Sequence, residues 1–296
     1  MSFSSEVKEE LAGQIGKSRH CQIAELAALI AFDGKAKIGE NGATILLDTE
    51  NENLLQKYGI LVKKLFHFDT ANTKAQDWKR VYEAVKMWDE EKQKPHITND
   101  VNGILVQQTC CKRTFIRGAF LASGSISDPN KSYHFEIVCK DEHQAEQLKE
   151  MINSFDMDAK IVLRKKYYVV YLKEGSQIVD LLNVMEAHIS LMNLENVRIL
   201  KEMRNSVNRK VNCETANISK TVNAAVKQVL DIEYIRDTAG LDSLPENLKE
   251  MALLRLEYPE AALKELGTYL NPPVGKSGVN HRLRKLSAIA EELREG

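Results

Sequence analysis

Residues Leu26-Ala27-Ala28-Leu29-Ile30-Ala31-Phe32-Asp33-Gly34 form an apolar run that breaks off at an aspartate-glycine pair. From Ile23 to Phe32 the apolar positions are nearly continuous, which predicts a buried helix, with Asp33-Gly34 as its stop signal. Two β-like runs follow, Lys35 to Gly39 and Ala43 to Leu47. They meet across Asn41-Gly42, a dipeptide that tolerates the positive φ of a tight hairpin turn. Leu54, Leu55, Tyr58, Leu61, Val62 and Leu65 then recur at helical spacing. Leu65 to Asp69 with Trp78 to Val85 read as a second hairpin, so the order is helix, two strands, helix, two strands.

A similar order returns after Asn99. Phe115 to Ala122 is a second small and apolar helix, ending at Gly124. Tyr133 to Cys139 is a β-run, Glu142 to Phe155 an amphipathic helix, and Ala159 to Leu163 with Tyr167 to Leu172 a β-pair. Two such halves indicate an internal duplication. A helix from Gln177 to His188 closes the second half.

The 296 residues carry 41 Lys plus Arg against 42 Asp plus Glu, so the chain is not a polycation that binds polyanions through net charge, and any basic site must be local. No apolar run reaches the roughly 18 residues of a membrane span. Glu6, Glu9 and Glu10 stand where a secretory signal would carry basic residues, and a cytoplasmic protein without membrane partners is expected. Cys21, Cys110, Cys111, Cys139 and Cys213 include no C-x-x-C pair and are odd in number. That predicts reduced, partly buried thiols, with no structural zinc, no disulfide framework and no cofactor.

From Val197 to Val229 the texture is polar and helical, with Lys201, Arg204, Arg209, Lys210, Lys220 and Lys227 against Glu202 and Glu214. This is a basic linker running into a helix, and its cations are either a solvated face or a nucleic-acid contact. Three helices follow: Pro245 to Leu256, Ala262 to Leu270 and Lys276 to Leu293. In the third, Val279, Leu283, Leu286, Ala290 and Leu293 mark the buried stripe. Ser277, His281, Arg284 and Ala288 then lie opposite, flanked by Asn280 and Lys285. The segment from Asn271 to Ala290 holds no acid, and such a face offers donors for base edges and cations for phosphates. On spacing alone, a major-groove reading helix and an ordinary surface helix of a bundle are both open. Gly275 and Gly278 favour the first, since small residues let a helix start approach a DNA backbone.

Two lookalikes fail on their neighbours. Gly275-Lys276-Ser277 has the ending of a phosphate loop, but Leu270 stands where the loop's first glycine belongs. His134-Phe135-Glu136 lacks the downstream Pro-Cys-x-x-Cys of zinc deaminases and fits a β-strand instead.

The run from Leu26 to Gly34 resembles the L-A-G-L-I-D-A-D-G motif of homing endonucleases, and Ile116-Arg117-Gly118-Ala119-Phe120-Leu121-Ala122-Ser123-Gly124 is a more degenerate copy. With Asn212-Cys213-Glu214-Thr215-Ala216-Asn217, Gly240-Leu241-Asp242-Ser243-Leu244-Pro245 and the segment from Pro272 to Leu286, the whole chain is similar to the bacterial WhiA family of sporulation and cell-division regulators. The resemblance implies an α+β fold: a duplicated LAGLIDADG homing-endonuclease-like N-terminal domain followed by an all-α helix-turn-helix C-terminal domain. Repeats are expected over 1–98 and 99–196, the basic linker over 197–222 and the helix-turn-helix over 223–296. In homing endonucleases the aspartate before each final glycine helps to hold catalytic cations. Here those positions are Asp33 and Ser123, so half the pair survives.

The expected function is a sequence-specific, nucleoid-associated transcription regulator that acts on double-stranded DNA without cutting it, with other transcription regulators or RNA polymerase as protein partners. Base reading is assigned to Ser277, Asn280, His281 and Arg284, and phosphate contact to Lys276, Arg282 and Lys285. The alternatives are a nucleoid-organising protein and a metal-dependent endonuclease.

Overall fold

The computed structural model describes residues 2–39, 42–72 and 74–295. In it the Leu26 run lies in helix α2 (Arg19–Asp33) and its later copy in α5 (Thr109–Ser123). These two helices pack along one another at the centre of the N-terminal unit. Their contact is close because small side chains meet there: a Cβ added to Gly118 would lie 2.8 Å from both the Ala28 Cβ and the Glu25 carbonyl oxygen. Only glycine fits such an approach. Both helices end on a glycine that donates its N–H back into the last turn, Gly34 to Ile30 and Gly124 to Phe120.

Around this pair run α1 (Phe3–Ala12), the hairpin β1 (Gly34–Gly39) and β2 (Gly42–Leu47), α3 (Glu52–Phe66), α4 (Ala75–Ala84), and a two-residue ladder of β3 (Trp88–Asp89) with β4 (Lys94–Pro95). The second half adds β5 (Gly124–Ile126), β6 (Phe135–Cys139), α6 (Glu142–Asn153), β7 (Lys160–Arg164), β8 (Tyr167–Leu172) and α7 (Gly175–Met185), with an antiparallel sheet of order β5-β6-β8-β7. The α+β reading and the duplicated apolar helices hold, while Asn41 of the expected Asn41-Gly42 turn lies outside the described residues and Gly42 begins β2.

One element of the first half is different. The expected hairpin of Leu65 to Asp69 with Trp78 to Val85 is absent among the described residues: Leu65 and Phe66 finish α3, and Trp78 to Ala84 lie in α4. The physical reason is spacing. Trp78, Val81, Tyr82 and Val85 follow an i, i+3, i+4, i+7 pattern and are all buried. The polar ends of the two rings are satisfied there, with Trp78 Nε1 donating to the Asn72 carbonyl at 2.6 Å and Tyr82 Oη to the Thr44 carbonyl at 3.3 Å.

Charged groups also sit in this core. Glu25 and Lys57 are 0% exposed and Arg117 is 1% exposed. Glu25 accepts from Arg117 Nε at 2.7 Å and Nη2 at 3.1 Å, and pairs with Lys57 Nζ at 2.8 Å. Lys57 also donates to the Leu11 carbonyl, and Arg117 to Glu186 on the rim. A buried carboxylate holding two cations ties α2, α3 and α5 together.

The chain divides into two units, 1–202 and 203–296. The expected helix from Gln177 to His188 is two helices: α7 stops at Met185, Glu186 takes a left-handed conformation at φ 69°, and α8 (His188–Thr238) begins two residues on. The basic stretch is therefore the middle of one helix of 51 residues. No helix among the described residues is long and apolar enough to cross a membrane.

In the second unit the end of α8 packs with α9 (Glu246–Glu257), α10 (Leu263–Tyr269) and α11 (Lys276–Glu295). Ile232, Ile235, Met251, Leu266, Val279, Leu283, Leu286 and Ala290 fill the core, each large side chain stabilising it by about 1.5–3 kcal/mol. Sequence reading missed the polar ties. Arg255 is buried and donates to Gln228 Oε1 at 3.0 and 2.8 Å and to the Ala261 carbonyl at 2.7 Å, while Asp231 pairs with Arg294 at 2.9 Å.

Candidate nucleic-acid interface

Helix α10, the turn 270–275 and α11 make a helix-turn-helix whose angle is set by a close backbone approach. Val274 donates its N–H to the Gly267 carbonyl at 2.9 Å. A Cβ on Gly267 would stand 2.0 Å from the Val274 carbonyl oxygen, so glycine is required where the turn crosses α10. Gly278 serves the same joint, because a Cβ there would meet the Val274 side chain at 2.4 Å. Its smallness is used inside the protein, whereas Gly275 has no atom within 4 Å of its would-be Cβ and leaves the helix start open.

Beyond that start, Lys276, Ser277, His281, Arg284 and Lys285 are exposed. Among the described residues none of the five forms a side-chain hydrogen bond or ion pair within the chain, so their donors are free. Two other assigned residues stand apart. Asn280 is half-buried and lines a cavity of about 840 Å³ with Lys220, Ala224, Arg255 and Leu263. Arg282 leans onto α9, donating to the Asn247 carbonyl at 3.4 Å and lying 3.8 Å from Glu250.

The cations of α8 are not equivalent. Lys201 donates to the Pro129 carbonyl at 2.7 Å and lies 5.0 Å over the Tyr133 ring, and Lys227 pairs with Glu291 at 2.9 Å. Arg204, Arg209, Lys210 and Lys220 project from a stretch exposed on every side. If Arg204, Arg209 and Lys210 touch phosphates, replacing all three by Ala should lower the magnitude of the log K against log salt slope by roughly 0.9 per contact. An unchanged slope in salt-titrated binding would make them a solvated face.

At the other end of the molecule's duplicated helices, the residues do not fit a two-cation nuclease centre. Burial, and then the Asp48 carboxylate, raise Asp33 above the usual carboxylate range, although Lys140, Lys35 and Lys8 pull against this. Its Oδ2 is buried without a partner. On the second helix Ser123 donates its hydroxyl to the Val138 carbonyl at 2.8 Å. Asp48 adds a second carboxylate, but from the first half of the unit and already paired with Lys35 at 2.6 Å, so with Ser123 engaged and Lys140 and Lys8 nearby the two-sided pair of carboxylates is absent among the described residues.

Residues 19–76 match the family model of the WhiA N-terminal LAGLIDADG-like domain, 112–204 that of the WhiA LAGLIDADG-like domain, and 207–290 that of the WhiA C-terminal HTH domain. A probable cell division protein WhiA of Lachnoclostridium phytofermentans is 56% identical, with 100% of both chains covered. One of Alkaliphilus oremlandii is 50% identical over 100% of this chain and 99% of its own. The crystal structure of full-length DUF199/WhiA from Thermatoga maritima shares 26% identity over 99% of both chains, with a TM-score of 0.57.

Proposed function

The chain belongs to the WhiA family, and from that premise we propose that it is a sequence-specific DNA-binding transcription regulator linked to cell division, chromosome segregation or sporulation. The observation that carries this reading is the outward face of α11: Ser277, His281 and Arg284 exposed with free donors, Lys276 and Lys285 beside them, and no acid within the segment. Arg284 donates to a guanine edge, Ser277 and His281 read neighbouring bases, and the lysines hold phosphates. Asn280 and Arg282 belong to the packing of the unit and act on DNA only through the pose of α11.

The N-terminal unit in this reading no longer cuts. It keeps the packed helix pair of a nuclease and serves as a platform for phosphate contacts or for a protein partner such as RNA polymerase or another regulator. The regulator works on the nucleoid. Phosphodiester hydrolysis by a two-sided cation site needs carboxylates from both helices against the attacking and leaving oxygens. A high-affinity duplex incubated with the purified chain and magnesium or manganese should therefore stay intact. Cleavage that disappears in Asp33→Ala would restore the endonuclease reading.

Selection of bound sites from a random duplex pool tests sequence specificity. The expected result is one enriched motif bound at least a thousandfold tighter than random duplex at the same salt. Binding without enrichment would favour a nucleoid-organising protein.

A further inference from the structure

At the N-terminal ends of the central helix pair, opposite Asp33 and Ser123, four potential ligands converge. His20 and Cys21 stand in the first turn of α2, and Cys110 and Cys111 hold the matching places in α5. His20 Nδ1 lies 3.1 Å from Cys111 Sγ, 3.4 Å from Cys21 Sγ and 4.0 Å from Cys110 Sγ. All four ligand atoms fall within 4.8 Å of one another. The lack of a C-x-x-C pair hid this set, because each helix contributes an adjacent pair and the two helices are far apart in sequence.

We propose that His20, Cys21, Cys110 and Cys111 bind a single zinc ion that clamps the starts of α2 and α5. A tetrahedral zinc with Zn–S near 2.3 Å and Zn–N near 2.0 Å places its ligands about 3.5–3.8 Å apart, close to the separations present. Three sulfurs and one imidazole are a donor set of structural zinc sites and are soft enough to exclude magnesium and calcium. An iron–sulfur cluster needs its cysteines to stand around a bulky core of iron and sulfide, and atoms this close leave no room for one.

The surroundings suit the charge. Three thiolates and one divalent ion leave a single negative charge. Two helices of 15 residues begin at the cluster, neither with a side-chain cap, so the positive ends of their dipoles favour a negative charge there. Arg113 and Lys17 share with Cys21 and Cys110 a cavity of about 420 Å³, and Arg113 Nε is buried without a partner. Thr114 holds the frame, donating to the Cys21 carbonyl at 3.0 Å and the Cys111 carbonyl at 3.1 Å. Cys21 and Cys111 are buried while His20 and Cys110 are exposed, so the ion has a way in from solvent.

The test uses the full chain purified under reducing conditions without chelator. Elemental analysis and native mass spectrometry should find about one zinc per chain. Cobalt exchanged into the site should give the intense visible bands and thiolate charge transfer of a tetrahedral ion. Cys110→Ser and His20→Ala change exposed side chains and should keep the fold by circular dichroism while zinc content drops at least tenfold. Cys213→Ser, on α8, should leave it unchanged. Metal-free chain with all thiols titrating as reduced would overturn the proposal, as would a pale octahedral cobalt spectrum or a disulfide among Cys21, Cys110 and Cys111 in mass spectrometry. Equal zinc content in the wild-type chain and both site variants would also overturn it.

Discussion

Glu25→Ala should lower the unfolding free energy of the N-terminal unit by about 3–5 kcal/mol, the range for breaking a buried ion pair by removing one partner. The carboxylate has no exposure to water and holds two cations, Arg117 at 2.7 Å and Lys57 at 2.8 Å. Removing it leaves both in the core, where Lys57 keeps only backbone carbonyls and Arg117 only the rim carboxylate of Glu186. Burial already pulls Lys57 below the usual lysine range while Glu25 is present. A second variant separates charge from volume. Glu25→Leu with Lys57→Met and Arg117→Met replaces the whole network by apolar groups and should recover most of the loss, since such replacements are often neutral or stabilising. Urea unfolding of the three proteins checks both points, and a loss below about 1 kcal/mol in Glu25→Ala would show that water reaches the network.

On DNA the largest effect is expected at Arg284. Its guanidinium is exposed on the outward face of α11 and unpaired among the described residues, free to give two parallel hydrogen bonds to a guanine edge. Arg284→Ala should therefore weaken binding to the selected site by about 1–3 kcal/mol, roughly five- to 150-fold, and weaken binding to random duplex far less. Arg284→Lys should not restore specificity, because an ammonium cannot reproduce the planar fork. Competition binding at fixed salt distinguishes the outcomes. Equal losses on both duplexes would place Arg284 on a phosphate.

Features set by local periodicity were legible in the sequence. The Leu26 to Phe32 run and the stripe Val279, Leu283, Leu286, Ala290 became α2 and α11 with the expected residues buried, because a face that must leave water shows in the order of residues. Reading failed where composition competed with period. Trp78, Val81, Tyr82 and Val85 are aromatic and β-branched, as strands prefer, yet helical spacing prevailed because it lets all four reach the core. Contacts across long sequence separations were hidden. Nothing in the order of residues links Glu25, Lys57 and Arg117, and only the packing of α2, α3 and α5 makes them one network. On α11 the residues opposite the stripe are exposed, but Asn280 and Arg282 sit on its flanks, where the neighbouring helix decides whether a side chain meets solvent or protein.

Genome-wide occupancy of the wild-type chain and of Arg284→Ala, mapped beside transcript levels, tests most directly whether α11 reads promoters. A regulator should give discrete wild-type peaks upstream of genes whose transcripts change with the protein, and Arg284→Ala should lose those peaks at equal protein abundance. Diffuse occupancy that the substitution leaves unaltered, with transcripts indifferent to it, would contradict sequence-specific regulation through α11.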